Sequence, residues 1–395
     1  MKLKIEKGIA EGRVTVPPSK SVSHRMLICG ALSENSTIRN LANNDDISAT
    51  LSGLANLGAV YHKNDDSSLT IGGLKFNGET VIDCNESGST IRFLIPLALL
   101  SENKVKFIGA ERLLKRPMGI YEDICKKQGL TYVHTDSSIT VCGKLKSDNF
   151  VVPGNISSQF ITGLLFALPL LKNDSTIEIT DKFESKSYID ITIDVMKKFG
   201  VIIEWICDNK LYIKGGQKYN SCDVCVEGDW SAAAFWYGLN AIGGKVEING
   251  LNKDSYQGDK VCVDILKNIN EPQDLSDCPD LAPILFAVAA AKGGGRFEGT
   301  KRLQLKESDR AGAMRDELGK FGASVIINDN SVDIKCVGIN PPKEVLYAHN
   351  DHRIAMALAV LCTLTGGEIE GYSAVSKSYP SFFEELSKLG IKVTK

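Results

Sequence analysis

The sequence predicts two similar α/β domains assembled from six copies of one supersecondary unit. Three observations lead there. The chain has 395 residues, which is long for a single core. Its composition, 43% hydrophobic and 24% charged, is that of a globular protein and excludes disorder for the chain as a whole. One pattern also recurs: an apolar helical segment ends in Gly, a β-rich segment comes next, then a polar turn and a second short β segment.

The copies can be read in order. Leu54-Ala-Asn-Leu-Gly58 leads into AVYHKNDDSSLTIGG, and Ile124-Cys-Lys-Lys-Gln-Gly129 leads into LTYVHTDSSITVCG. Met196-Lys-Lys-Phe-Gly200 leads into VIIEWICDNKLYIKGG, and Leu318-Gly-Lys-Phe-Gly322 leads into ASVIINDNSVDIKCVG. Leu386-Ser-Lys-Leu-Gly390 is followed only by IKVTK. Gly58, Gly129 and Gly200 are 71 residues apart, and Gly322 and Gly390 are 68 apart. The gap of 122 between Gly200 and Gly322 leaves room for one degenerate copy, Ile265-Leu-Lys-Asn-Ile, with its Gly lost. Common solenoids repeat every ~20–50 residues, so this longer period fits a compact αβ unit instead.

The truncated last copy predicts closure. The strand at residues 2–6 (KLKIE) can supply what the C-terminal copy lacks. Residues 1–17 and 228–395 then form one discontinuous domain, and residues 18–227 form an inserted one. The chain crosses near Pro17-Pro18 and near Glu227-Gly228, and a cleft between domains is the expected place for a ligand.

Several classes of function are excluded. Lysine and arginine total 46 against 48 acids, a net charge of −2, so nothing favours nucleic acid or an anionic membrane. The opening MKLKIEKGIAEGRV lacks an apolar signal core, and the apolar run at 281–291 is too short to span a bilayer. A cytoplasmic enzyme is expected. The 11 cysteines lie scattered in apolar segments, as reduced core residues do. Cys222 and Cys225 form one CxxC pair with no second pair at ligand spacing, so no metal is expected.

An anion site must therefore be built locally, and polar helix starts supply the candidates. In Pro17-Pro-Ser-Lys-Ser-Val-Ser-His-Arg25, Lys20, Ser21 and Arg25 fall in the first turns of a helix. Asn85-Glu-Ser-Gly-Ser-Thr-Ile-Arg92 joins a β segment to an apolar helix at 91–100, and Gly88 lets backbone approach a ligand. Arg112–Arg116 is a basic turn before Pro117. Ser157, Ser158 and Gln159 precede an apolar helix at 160–171, and Ser185 opens another. Lys306-Glu-Ser-Asp-Arg310 sets an acid among cations. Asp280, Asn350-Asp-His-Arg353 and Lys377 stand before further helices. Each alone also reads as an ordinary capped helix or a solvated charge pair. As a set, at least six such starts predict a site for two anionic ligands if they point into one cleft.

In this order the motifs resemble the 5-enolpyruvylshikimate-3-phosphate synthase family over nearly the whole chain. The residues that carry the resemblance are Lys20-Ser-Val-Ser-His-Arg25, Glu86-Ser-Gly-Ser-Thr-Ile-Arg92, Ser157-Ser-Gln-Phe160, Lys306-Glu-Ser-Asp-Arg310 and Asn350-Asp-His-Arg353. The resemblance implies two domains of three βαβαββ-type units, each an inside-out α/β barrel. It implies transfer of the enolpyruvyl group of phosphoenolpyruvate to the 5-hydroxyl of shikimate 3-phosphate by a monomer without cofactor. Lys20, Ser21, Arg25, Ser157, Ser158, Gln159, Ser185, Asp280 and Lys306 would bind shikimate 3-phosphate. Lys20, Gly88, Arg92, Arg116, Gln159, Arg310, Arg353 and Lys377 would surround phosphoenolpyruvate. Asp280 would act as base, Glu307 as acid, and Lys20 beside them. Gly88 implies that glyphosate competes with phosphoenolpyruvate.

Three positions depart from the family pattern. Arg302 stands where an Asn is expected and is left out of the site. Ser89 replaces a common Thr, and His24 reads as a spacer or surface group. The rival within the same fold class is the sister transferase acting on UDP-N-acetylglucosamine. It carries a reactive Cys in a loop near Arg, whereas residues 112–119 here read RLLKRPMG. A more distant rival is a non-catalytic phosphate-binding or RNA-end-processing protein.

Overall fold

The computed structural model describes residues 2–395. The chain begins with strands β1 (Lys2–Ile5) and β2 (Glu11–Thr15) and then passes into a contiguous unit, Lys20–Glu227. Residues 1–19 and 228–395 make up the other unit.

The contiguous unit holds three four-stranded sheets. Its elements in order are α1 (Lys20–Leu32), β3 (Ser36–Arg39), α2 (Asp45–Asn56), β4 (Val60–Lys63), β5 (Leu69–Gly72), β6 (Thr80–Asp83), α3 (Gly88–Ala98), β7 (Val105–Ile108), α4 (Glu111–Leu114), α5 (Gly119–Gln128), β8 (Thr131–Thr135) and β9 (Ser138–Cys142). They continue with β10 (Asn149–Pro153), α6 (Ser158–Ala167), β11 (Ser175–Thr180), α7 (Lys186–Lys198), β12 (Ile203–Cys207), β13 (Lys210–Ile213) and β14 (Asp223–Cys225). The sheet orders are β14-β3-β5-β4, β6-β7-β9-β8 and β10-β11-β13-β12. In each, the first pair is parallel and the rest antiparallel, the pattern of a βαβαββ unit. The first sheet takes its outer strand, β14, from the far end of the segment.

The other unit continues with α8 (Trp230–Ala241), β15 (Lys245–Asn249), α9 (Cys262–Lys267), β16 (Gln273–Asp274), α10 (Ala282–Ala291), β17 (Gly294–Glu298), α11 (Arg310–Lys320), β18 (Ser324–Ile327) and β19 (Ser331–Lys335). It ends with β20 (Leu346–Tyr347), α12 (His352–Thr365), β21 (Gly367–Glu370), α13 (Phe382–Lys388) and β22 (Val393–Thr394). The order β16-β17-β19-β18 repeats the pattern, and β20-β21-β1-β22 completes the last copy with the N-terminal strand. The degenerate copy departs further than its missing Gly implied. It keeps only the parallel pair β2 and β15, and no hairpin comes after α9.

The recurring glycines have one physical cause. Gly58, Gly129, Gly200, Gly322 and Gly390 all have positive φ. In each copy the next residue's N–H reaches back to a carbonyl five positions earlier: Ala59 to Leu54, Leu130 to Cys125, Val201 to Met196, Ala323 to Leu318, Ile391 to Leu386. This is the Schellman closure, which needs a left-handed residue and turns the chain sharply into the next strand.

Helices that are apolar all round must be buried all round. Residues 282–290 of α10 and 352–363 of α12 are buried without a gap, and α3, α6, α8 and most of α1 are similarly enclosed. The sheets lie outside them with alternating exposure, as in β1 and β10. Two helices begin earlier than the apolar run predicts, because Ser87 and Ser157 cap them by accepting from Thr90 N and Gln159 N. The 160–171 helix ends early because Pro169 has no N–H to continue it; a 3₁₀ turn over Leu168–Leu170 takes its place.

Close packing at Gly163 sets the spacing of α3 and α6. A Cβ there would lie 2.3 Å from Arg92 O and 2.4 Å from Tyr121 Oη. The Tyr121 hydroxyl donates to Arg92 O at 2.6 Å and so ties α5 to α3. Gly163→Ala is expected to cost about 1–3 kcal/mol by overpacking and to displace Arg92. Gly129→Ala meets nothing within 4 Å and carries only the positive-φ penalty, about 1–2 kcal/mol. Urea denaturation of both variants checks this; a substrate-binding defect in the Gly129 variant alone would contradict it.

Candidate active site

The sequence-predicted site residues fall into two sets, one in each unit. In the contiguous unit they gather at helix N-termini. Arg92 Nη1 donates to Gln159 Oε1 at 2.7 Å, and Gln159 Nε2 donates to Ser89 Oγ at 3.0 Å, joining α3 to α6. Arg92 lies over the Phe160 ring, 5.0 Å from its centroid. A Cβ on Gly88 would stand 2.9 Å from Arg116 Nη1 and 3.1 Å from Arg92 Nη1. Glycine therefore leaves room for two guanidinium groups around one point at the start of α3. Arg116 Nε is buried without a hydrogen-bond partner. Two cations and a helix N-terminus around one gap suit a carboxylate or phosphate.

Arg25 is fastened on α7. Its Nε donates to Thr192 Oγ1 at 2.8 Å and its Nη2 to Tyr188 O at 3.0 Å, while Nη1 reaches Ser21 O at 2.7 Å. Burial pushes it down to about 10, so it stays cationic at neutral pH. Ser185 stands at the N-cap of that helix with φ 61, a left-handed conformation that costs a non-glycine residue energy. Lys20 pairs with Asp46 at 2.7 Å. Ser157 and Ser158 open α6. Arg112 is exposed and joins none of these contacts.

The second set centres on Arg310, whose side chain is 1% exposed. Its three nitrogens serve three acids: Nη1 to Asp280 at 2.7 Å, Nη2 to Glu307 at 2.7 Å, and Nε to Asp351 at 2.9 Å. Asp280 also meets Lys306 at 3.2 Å and Arg353 at 3.1 Å. Burial alone would raise the Asp280 carboxyl, but Arg353, Lys306 and Arg310 outweigh it and hold it well below the usual carboxylate range. Burial lowers Lys306, with Asp280 opposing. Lys377 donates to Asn350 O at 2.6 Å.

Some contributors escaped sequence reasoning. Asp351 stood out only as part of a motif, yet it caps α12 through Arg353 N and holds Arg310 and Ser308. Asp259 gave no signal beyond an acid after Gln257-Gly258. It is buried, takes a hydrogen bond from Ser231 on Oδ2, and has no donor on Oδ1. Burial, then the charge of Asp280, push its carboxyl up to about 6. His24 is not a spacer or surface group. It is 1% exposed, its Nδ1 lies 2.8 Å from Thr50 Oγ1, and its ring meets the Phe93 edge. Burial, with Lys20 and Arg25, drives its pKa well down, so it is a neutral core residue. Arg302 is buried and donates to Ser276 O at 2.7 Å.

Among the described residues, no three His, Cys, Asp or Glu are grouped to hold a metal ion, and no helix is long and apolar enough to cross a membrane.

The profile of the EPSP synthase (3-phosphoshikimate 1-carboxyvinyltransferase) family matches residues 6–272 and 269–386. A 3-phosphoshikimate 1-carboxyvinyltransferase of Clostridium perfringens is 43% identical over 409 positions, covering 96% of each chain. The protein of that name from Clostridium acetobutylicum is 43% identical over 416 positions, covering 98% of this chain and 97% of its own. An EPSP synthase structure from Acinetobacter baumannii matches with TM-score 0.80 at 22% identity, covering 100% of both chains. The enolpyruvyl transferase NikO from Streptomyces tendae matches with TM-score 0.79 at 16% identity, covering 100% of this chain and 98% of its own. These two structures share the two-domain α/β fold of repeated units.

Asp259 yields a pH test. The unfolded chain ionises it near its ordinary 3.8, whereas the folded protein keeps the proton up to about 6. The unfolded state therefore binds fewer protons in that window, and stability falls as pH rises from about 4 to 6. Asp259→Asn is expected to stabilise the protein at pH 7.5 by on the order of 2 kcal/mol and to give no gain at pH 4. Melting curves at both pH values check it; an equal shift at both would refute the cause.

Proposed function

This chain belongs to the EPSP synthase family, and from that premise we propose that it transfers the enolpyruvyl group of phosphoenolpyruvate to the 5-hydroxyl of shikimate 3-phosphate. Phosphate is released by addition and elimination through a tetrahedral intermediate, on the shikimate route to chorismate and the aromatic amino acids.

The observation that carries the reading is the sharing of Arg310. Addition needs a base on one oxygen and an acid on one carbon. Asp280 sits on Arg310 Nη1 and Glu307 on Nη2, so one rigid group fixes both. Asp280, ringed by cations, is ionised but weakly basic. It takes the 5-hydroxyl proton as the C–O bond forms and the hydroxyl becomes acidic. In its protonated form Glu307 delivers a proton to the methylene carbon, making a methyl group. In the second step the methyl returns a proton to the Glu307 carboxylate as the C–O bond to phosphate breaks, phosphate leaves with the proton held by Asp280, and the enol ether remains. These are proton transfers among fixed charges, and they call for no cofactor.

The remaining residues hold charge. Lys20, Ser21, Arg25, Ser157, Ser158, Gln159, Ser185 and Lys306 bind shikimate 3-phosphate. Gly88, Arg92, Arg116, Gln159, Arg310, Arg353 and Lys377 bind phosphoenolpyruvate, with Lys20 serving both. The intermediate keeps its phosphate and its carboxylate, so fixed cations stabilise it without reorganising. Glyphosate competes for the phosphoenolpyruvate groups. Eleven free cysteines suit a cytoplasmic enzyme, where thiols stay reduced. A monomer suffices because one chain carries every group named.

Phosphate release is expected only with shikimate 3-phosphate and phosphoenolpyruvate together. Equal release with UDP-N-acetylglucosamine would overturn the assignment. Glu307→Gln should lose most turnover, about 100-fold or more, while still binding shikimate 3-phosphate by calorimetry. Wild-type turnover in that variant would remove Glu307 from the acid role.

A further inference from the structure

Glu317 lies on α11, one helical stretch beyond Arg310, and is 1% exposed. It touches none of the residues assigned to substrate. Its carboxylate nevertheless accepts four hydrogen bonds: Oε1 from Lys320 Nζ at 3.0 Å and His349 Nε2 at 2.9 Å, and Oε2 from Lys320 Nζ at 2.8 Å and Tyr347 N at 2.9 Å. Lys320 also donates to Val345 O at 3.0 Å and sits 4.6 Å from the Tyr347 ring centroid. Every one of these bonds lands on α11 or on the strand and turn that lead into α12.

That turn is strained. His349 and Asn350 have φ of 50 and 53, two consecutive left-handed residues, neither of them glycine. The turn runs straight into the charge cluster. Asn350 O receives Lys377 Nζ at 2.6 Å, and Asp351 Oδ2 receives Arg310 Nε at 2.9 Å. Arg353, one residue past the start of α12, reaches Asp280. A small rotation of the turn would move Lys377, Arg310 and Arg353 together.

We propose that Glu317 is a positioning residue for the reaction, clamping the 347–350 turn so that Lys377 and Arg353 hold their phosphoenolpyruvate-binding geometry. A buried carboxylate costs desolvation and adds little net stability when paired, so an apolar side chain would fill this space at less cost. Its bonds to two points of a strained turn account for its presence. Burial raises the Glu317 carboxyl, but His349, Lys320 and the Tyr347 N–H outweigh it and keep it ionised. No local motif marks Glu317, which stands four residues before the repeat's Phe321-Gly322.

The inference rests on Lys377 and Arg353 being phosphoenolpyruvate ligands, and the experiment separates the two. Steady-state kinetics are measured for Glu317→Gln, His349→Ala, the double variant and Lys377→Ala. Glu317→Gln is expected to raise the KM for phosphoenolpyruvate about tenfold, as loss of a charge-assisted bond does. Calorimetric affinity for shikimate 3-phosphate should stay within about twofold, since both partners of the lost bond lie outside its ligands. His349→Ala, at a side chain 32% exposed, should raise the same KM with the fold intact. The double variant should be no worse than the poorer single one. A folded Glu317→Gln protein with wild-type KM, or one that loses both substrates equally, overturns the clamp. Should Glu317→Gln not fold, His349→Ala decides alone, and a wild-type KM there overturns it. A wild-type KM in Lys377→Ala would instead overturn the ligand assignment beneath it.

Discussion

A buried guanidinium must be neutralised on all its faces, and Arg310 governs its surroundings for that reason. Burial disfavours its charge, yet Asp351, Glu307 and Asp280 push its pKa well above the ordinary value. Each acid comes from a different place: Asp351 caps α12, Asp280 precedes α10, and Glu307 precedes α11. One side chain thereby fixes three segments of its unit. Without it, three carboxylates would be left largely buried and mutually repelling, which is costlier than any single lost contact.

The two charge clusters differ in a way that matches their proposed work. Around Arg310, three carboxylates face the three cations Lys306, Arg310 and Arg353, so charge nearly cancels. In the contiguous unit, Lys20 pairs with Asp46, Arg25 bonds Thr192 and Arg92 bonds Gln159. These basic groups belong to helix starts, where the N-terminal dipole adds positive potential, because Gly88 and Ser158 open helices whose sides are largely apolar and buried. The same apolarity that drives those helices into the core leaves only their ends for chemistry.

The repeat explains economy and its failures. Closing each sheet with a strand from elsewhere in the sequence, β14 in one case and β1 in another, removes the need for a complete copy at either end of a segment. The copy built on β2 and β15 tolerates loss of its hairpin. Asp259 comes after it on a tight turn beside α8, and its raised pKa marks a site held at some cost in stability.

The repeat was legible because its glycines answer a local need: the Schellman closure demands positive φ whatever lies around it. Apolar runs without a polar face likewise announced buried helices. The polar helix starts, Lys20 to Arg25, Gly88 to Arg92 and Lys306 to Arg310, were legible as types of residue near backbone amides. Which charges pair with which was decided only by tertiary structure. No spacing rule links Asp280 to Arg310 and Arg353, or Glu317 to His349, because those contacts join segments 30 to 73 residues apart. His24 shows the same limit from the other side. Its place in a polar motif pointed outward, and only the packing of α1 against Thr50 and Phe93 turned it into core. Local backbone geometry is written in short stretches of sequence, whereas the state of a charge depends on neighbours that the fold alone brings near.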